Sequence, residues 1–382
     1  MRVLHATVRY YPALGGVEEY VKRIAEWLSS HNHDVCVYTS DLLRHTDKLV
    51  KTQFRNEILN GVRIIREYTL PLKLRHYSLM PRMPFDILRE KADLIHGHCF
   101  MSFPLDVASV VARLKKKKFV FNPYFSQFCP SSTLGSLYRK TLGSLAMQAD
   151  VVAVISGFEK LMIEKAGFKI KRFEEVPPGI DLGEFSAPVE NIYSKYGIEG
   201  KRVILFAGRI DYNKGIDVLI KAAPLVLRVH PETVFFIAGA DFGELDNLKL
   251  LCAENRVEKN FVFSGALERR NLISAFKNAN IFVFPSRYEA FGITLIEAMA
   301  ARLAVVASDS SAMPFVIQHD KTGVLFSTGN WRSLADTISN LFKDEKKRKE
   351  IAENGYREAV NKYSWEKTAS FFNEIYNSLL AG

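Results

Sequence analysis

The chain is 382 residues long, 48% hydrophobic and 25% charged, with 52 Lys and Arg against 42 Asp and Glu. That length favours two domains over one core, and the composition is that of a soluble globular protein with no apolar run of membrane-spanning length. The four cysteines show no Cys-x-x-Cys spacing and the N-terminus is unlike a signal peptide, which argues against a zinc site or disulfide framework and for a reducing cytoplasm.

In chain order, β-branched runs predict strands over residues 3–8, 34–40, 62–68, 92–96, 119–121 and 151–155. A second series covers 202–207, 233–238, 260–263, 280–284 and 303–307. Helical patterns such as 215–230 and 292–301 lie between them. Continuous apolar strands alternating with helices imply parallel sheets covered on both faces. The predicted class is therefore α/β, with two Rossmann-like doubly wound domains facing across a cleft. The boundaries are 1–175 for the first domain, 176–200 for a Pro- and Gly-rich linker containing "EEVPPGIDLGEFSAP", and 201–364 for the second. The helix 365–382 is expected to cross back to the first domain. In open sheets of this kind ligands bind at the carboxyl ends of the strands.

The positive charge is uneven. Up to residue 180 there are 27 Lys and Arg against 17 Asp and Glu; beyond it there are 25 of each. Such a half fits either an anionic surface or a solvated face. No zinc finger or ribonucleoprotein motif is present, so nucleic acid is not an expected partner.

Three stretches carry chemistry. In "YPALGGVEEYV", Gly15 and Gly16 follow the first strand and open an amphipathic helix, where peptide N–H groups can approach an anion. In "FAGRIDYNKGID", Arg209 and Lys214 flank a strand-to-helix loop, a pair of cations suited to a diphosphate. In "FPSRYEAFGITLIEAMA", Glu289 lies in the loop after a strand and Glu297 within the following helix. Each carboxylate can accept two hydroxyl hydrogen bonds, so the pair can read a sugar and a ribose diol.

Together with "ADLIHGH", "ADVVAVISGFEK", "PPGID", "FFIAGA", "FSGAL" and "KTGVLF", in this order, these stretches resemble the retaining nucleotide-sugar glycosyltransferases of family 4, which have the GT-B fold. The resemblance covers nearly the whole chain. It implies that Arg209 and Lys214 hold the donor diphosphate, with Gly15 and Gly16 approaching it from the other domain. Glu289 would bind the donor sugar, helped by backbone N–H groups at Phe291 and Gly292, with Ile293 and Thr294 continuing that helix start. Glu297 would bind the ribose, and Leu267, in the Gly265–Leu267 loop, would lie by the base. Arg209, Lys214 and Glu289 form the expected catalytic set. No two aspartates are separated by one residue, so no metal and no cofactor is expected; the nucleotide sugar is a substrate. Retention of configuration, by front-face attack with the leaving diphosphate taking the acceptor proton, is likewise implied by the family.

Two departures stand out. Tyr124 occupies the place where the family often has histidine, and a phenol is a poor base at neutral pH. His98, at a strand end, is an alternative acceptor-side group, with His96 beside it. The family's Gly-Gly and glutamate become Ser311-Ala312 and Phe315. For a hydroxyl acceptor that is lipid-linked or a growing glycan, the basic stretches 68–85 and 113–121 could dock on an anionic membrane. The expected protein is a cytoplasmic hexosyltransferase, peripheral at the inner membrane face. A nucleotide-sugar epimerase, a disaccharide phosphorylase or a catalytically reduced nucleotide-sugar-binding protein are the alternatives on the same fold.

Overall fold

All eleven predicted runs form strands, and they stay apolar at successive positions because helices cover both faces of each sheet. The structure, a computed structural model, describes residues 1–13, 15–44, 50–51, 55–70, 77–125 and 133–381. The chain divides into one unit of Met1–Gly179 with Trp365–Gly382 and a second of Ile180–Ser364.

The first unit is built on an eight-stranded sheet. Its order is Phe173–Glu175, Val151–Val154, Lys118–Asn122, Leu94–His98, Arg2–Ala6, Asp34–Ser40, Val62–Glu67 and Asn56–Leu59. All neighbours are parallel except the last pair. That antiparallel hairpin turns at Asn60 and Gly61, both with positive φ (49° and 79°), the conformation that Asn-Gly favours between two strands. The helix Gly16–Ser30 packs against Trp365–Ala381: the Tyr20 ring lies 5.9 Å from Trp365 and 6.1 Å from Phe372, and its hydroxyl donates to the Val176 carbonyl at 2.7 Å.

In the second unit six parallel strands lie in the order Phe261–Gly265, Val234–Ala238, Val203–Ala207, Ile281–Phe284, Ala304–Ser308 and Val324–Phe326. Phe206, Phe235, Phe236, Phe276, Phe282 and Phe284 are fully buried around it. Each contributes about 1.5–3 kcal/mol relative to exposure. The chain winds outward from Val203–Ala207 in one direction and then restarts at Ile281–Phe284 in the other, so the topology switches between those two strands.

Residues 180–200, expected as linker, are instead built into the second unit. The helix Leu182–Ser186 is capped by Asp181, the turn Ile192–Tyr196 buries Tyr193, and the Tyr193 hydroxyl donates to the Ala275 carbonyl at 2.8 Å. Polar punctuation marked the chain's bends, but the aromatic and aliphatic side chains between them found a core. Among the described residues, no helix is long and apolar enough to cross a membrane.

Candidate functional site

The switch point of the second unit is where the loops after Val203–Ala207 and Ile281–Phe284 meet. Gly215 has φ 65°, and a Cβ there would sit 2.0 Å from the Pro285 carbonyl oxygen, so only glycine lets the loops touch. Arg287 then fastens them. Its N–H donates to the Asn213 carbonyl at 2.7 Å, its Nη1 to the Tyr212 carbonyl at 2.8 Å, and its two terminal nitrogens to the two oxygens of Asp217 at 2.8 Å each. Burial pushes the Asp217 carboxyl up, but the Arg287 guanidinium brings it net below its usual value.

This fastening sets Lys214 against Glu289. The ammonium donates to Glu289 Oε2, and both side chains are largely buried, at 12% and 18% exposure. The Lys214 ammonium also lies 5.3 Å from the Phe284 ring centre. Arg209 does not share that pairing. Its side chain is mostly exposed, its guanidinium is 3.4 Å from Asp211, and it lies 5.3 Å from the Phe242 ring. Both predicted cations thus face a carboxylate, but the Lys214 pair is largely buried whereas Arg209 is mostly open to solvent.

Behind them the strand ends are packed carbonyl to glycine. A Cβ on Gly239 would lie 1.7 Å from the Gly208 carbonyl oxygen, while the Gly239 N–H donates to Gly265 at 2.9 Å. In front, Gly292 (φ 91°) opens the helix Ile293–Ala300. The Leu295 N–H bonds the Gly292 carbonyl at 3.0 Å, so the N–H groups just before it are the ones a ligand can take. The Ala312 N–H bonds the Glu289 carbonyl at 3.2 Å, so the departing Ser311-Ala312 segment packs on the Glu289 backbone, with Ser311 at φ 53°. Glu297 is buried within the helix, and burial pushes its carboxyl up against the opposing pull of Arg269. An exposed helix glutamate is therefore not what it is. Leu267 is half-buried in the loop after Phe261–Gly265.

Within the first unit, Gly15 is extended (φ 165°) and precedes the helix Gly16–Ser30. A Cβ on Gly15 would meet Glu18 Oε2 at 2.2 Å, and Glu18 Oε1 accepts from Arg9 Nε at 2.7 Å. A carboxylate thus already lies against the predicted phosphate-facing turn. His98 is fully buried and Tyr124 partly buried. His98 Nε2 and His5 Nδ1 are 3.0 Å apart, and the Tyr124 hydroxyl is 3.5 Å from His98 Nδ1. Burial pushes His98 well below its usual value and Tyr124 well above. His5, His96 and His98 are the one group with metal-ligating spacing among the described residues. Both nitrogens of His96 are already taken, by Tyr376 at 2.6 Å and Asn122 at 2.7 Å, and the rings of His5 and His98 are stacked.

Residues 14–184 match the model of "Glycosyltransferase Family 4" and residues 189–358 that of "Glycosyl transferases group 1". The chain is a family 4 glycosyltransferase with the GT-B fold. Among similar proteins is an uncharacterized glycosyltransferase of Methanocaldococcus jannaschii, 25% identical, with 98% of each chain covered. The gpi3 subunit of phosphatidylinositol N-acetylglucosaminyltransferase from Schizosaccharomyces pombe is also 25% identical, covering 97% of this chain and 79% of that one. The crystal structure of Anabaena Alr3699/HepE in complex with UDP superposes with a TM-score of 0.79 at 19% identity over 99% of each chain.

In this glycosyltransferase the second unit gathers Lys214, Glu289, Phe291, Gly292, Ile293 and Thr294 around the switch point. The motif reading missed Arg287 and Asp217, which fasten this site, Gly239, packed behind it, and Arg269 and Glu184, which bond one another beside Glu297. Gly239, Arg287 and Asp217 lie inside quoted motifs and Glu184 inside the quoted linker, so the letters were present as text. Asp217 and Glu184 act through contacts that no local pattern announces.

Proposed function

We propose that this glycosyltransferase is a retaining, metal-independent hexosyltransferase that uses a nucleotide diphosphate sugar. The observation that carries the reading is the Lys214–Glu289 pair beside the Gly292 helix start at the switch point of the second unit. Lys214, Arg209 and the N–H groups at Phe291 and Gly292 would meet the negative charge of the diphosphate as it leaves. Glu289 would accept from a hydroxyl of the sugar and Glu297 from the ribose. The acceptor oxygen bonds to the anomeric carbon as the bond to the diphosphate breaks, on the same face. The acceptor proton passes to the leaving diphosphate, so configuration is kept and no enzyme nucleophile is consumed. The UDP bound by the Anabaena relative supports a nucleotide donor.

The acceptor reading is a hydroxyl on a lipid-linked or growing glycan, met by peripheral docking at the inner face of an anionic membrane. The gpi3 relative, named for a phosphatidylinositol substrate, supports a lipid acceptor. On the first unit, exposed Phe85 and Leu88 lie between Arg82 and Arg89 in the chain, and exposed Leu114 lies between Arg113 and Lys115–Lys117. The Lys115 ammonium donates to the Leu88 carbonyl at 2.9 Å, which brings the ends of the two helices together. Part of the basic stretch 68–85, residues 71–76, lies outside the described residues.

The test is nucleotide release from UDP-, GDP- and ADP-sugars, with and without chelator and with and without vesicles containing anionic lipid. Release from one donor, unchanged by chelator and stimulated by the vesicles, is expected. Loss in chelator restored by manganese would refute metal independence. Indifference to anionic vesicles at low salt would refute the docking face.

A further inference from the structure

Arg269 belongs to no motif, yet it is the centre of an ion network in the second unit. Its Nη1 donates to Oε1 of Glu297, while its Nε and Nη2 both donate to Oε2 of Glu184, at 2.8 and 2.6 Å. The Phe185 ring lies 5.6 Å from the guanidinium. Glu184 and Phe185 come from the short helix Leu182–Ser186, whose start is fixed by the Asp181 carboxylate accepting from Gly183 at 3.1 Å. Arg269 opens the helix Arg269–Asn278, directly after the loop that carries Leu267. One turn of backbone therefore links the loop expected beside the base to the group that grips Glu297.

We propose that Arg269 is a positioning residue of the nucleoside subsite, holding Glu297 through Oε1 alone so that Oε2 stays available to the hydroxyls of a ribose. The proposal rests on the reading of the second unit as the donor site. Glu297 is 8% exposed, and a carboxylate so buried takes a proton unless a cation faces it. Of the charged groups facing Glu297, Arg269 favours the ionised form and Glu184 opposes it. The distinction matters to a diol. An ionised carboxylate accepts from hydroxyls at both oxygens, whereas the neutral acid must donate at one of them. Glu184 in turn holds the guanidinium by two of its nitrogens, which leaves a single nitrogen for Glu297 and prevents a bidentate pair that would occupy both of its oxygens.

The experiment is calorimetric titration with whichever nucleotide sugar the release screen selects, on the wild type, Arg269→Gln, Arg269→Lys and Glu184→Gln. A pyrophosphate diester does not titrate between about pH 6 and 8.5, so any pH dependence there belongs to the protein. The wild type and Arg269→Lys are expected to bind with a flat profile. Arg269→Gln should bind about tenfold more weakly at the acid end than at the alkaline end, because burial then raises the Glu297 carboxyl with no cation opposing it. Glu184→Gln removes the charge that turns two of the Arg269 nitrogens away from Glu297 and should weaken binding severalfold, with a profile as flat as that of wild type. An Arg269→Gln profile parallel to that of wild type, whether weakened or not, would overturn the proposal. So would a Glu184→Gln protein that binds as tightly as wild type, and this second variant decides the matter if Arg269→Gln does not fold. Binding by the wild type with an indifferent Arg269→Gln defeats only this inference. No binding of any nucleotide sugar by the wild type defeats the donor reading as well.

Discussion

Replacing Arg287 should separate the two halves of the candidate donor site. Its guanidinium makes the paired bonds to Asp217, a third to the Tyr212 carbonyl, and lies 4.2 Å from the Tyr212 ring centre. Arg287→Met keeps much of the stem and removes the charge. Both partners of the ion pair are 24% exposed, between the surface and buried limits, so breaking it should cost about 2 kcal/mol. The lost carbonyl bond adds about 1 kcal/mol. For a unit of this size each kcal/mol lowers the melting temperature by about 2–4 °C, so a fall of about 6–12 °C is expected.

The functional loss should be larger than the thermal one implies. Arg287 holds the loop that carries Lys214, and misplacing a reacting group by about 1 Å can cost about 100-fold in rate. Nucleotide release measured well below the melting transition is therefore expected to drop by about two orders of magnitude. Asp217→Asn should melt at a higher temperature than Arg287→Met, and the double variant should be no worse than Arg287→Met alone, because it no longer leaves an unpaired carboxylate. An Arg287→Met protein that melts with the wild type and turns over normally would show that the loops are held by something else.

Gly239→Ala would place a Cβ 1.7 Å from a backbone oxygen that cannot rotate away; it should destabilise the second unit by more than about 3 kcal/mol, read from its denaturation midpoint. Asp106 accepts from Tyr77 at 2.5 Å and Tyr138 at 2.7 Å, yet burial raises it from 3.8 to about 6. Between those values the folded state keeps a proton that the unfolded chain releases, so this group makes stability fall as pH rises through the window. The melting temperature of Asp106→Asn minus that of wild type should accordingly climb from about pH 4 to 6 and then level off. Tyr124→Phe should keep most of the transfer rate, and a loss beyond about 100-fold would show that the phenol takes part in proton transfer.

The sheets were legible because burial on both faces leaves each parallel strand an unbroken apolar run, as in Val203–Ala207. The strands that went unread are short edge pieces with weak patterns. Asn56–Leu59 is half exposed and exists because Asn60-Gly61 turns it back on Val62–Glu67, while Phe173–Glu175 and Val324–Phe326 are three residues each. Residues 180–200 were misread because Pro and Gly mark bends without saying what packs between them. At the site, glycines and charged residues next to strand ends stood out, since few other reasons put them there. Their supports did not: Asp217 lies 70 residues from Arg287 and Glu184 lies 85 from Arg269, and a local pattern has no access to a contact of that separation.

The acid–base chemistry follows from what burial removes. Cys99, Met101 and Tyr124 all have positive φ, at 68°, 65° and 48°, at the ends of two adjacent strands of the first unit. Left-handed backbone at residues other than glycine costs about 1 kcal/mol or more apiece and persists only where the surroundings impose it. Here the imposing contacts are the Cys99 N–H bonded to Asn122 at 3.0 Å and the Phe100 N–H to Pro123 at 2.8 Å. They fix Tyr124 in a position where desolvation keeps its phenol protonated, so it can donate a hydrogen bond and cannot serve as a base near neutral pH. His98 is neutral there for the same reason, and protonating it would place a charge in a fully buried cluster beside His5 and His96. Neither residue offers an inexpensive home for an acceptor proton. In the proposed transfer a leaving diphosphate does, because it gains negative charge as its bond to the sugar breaks.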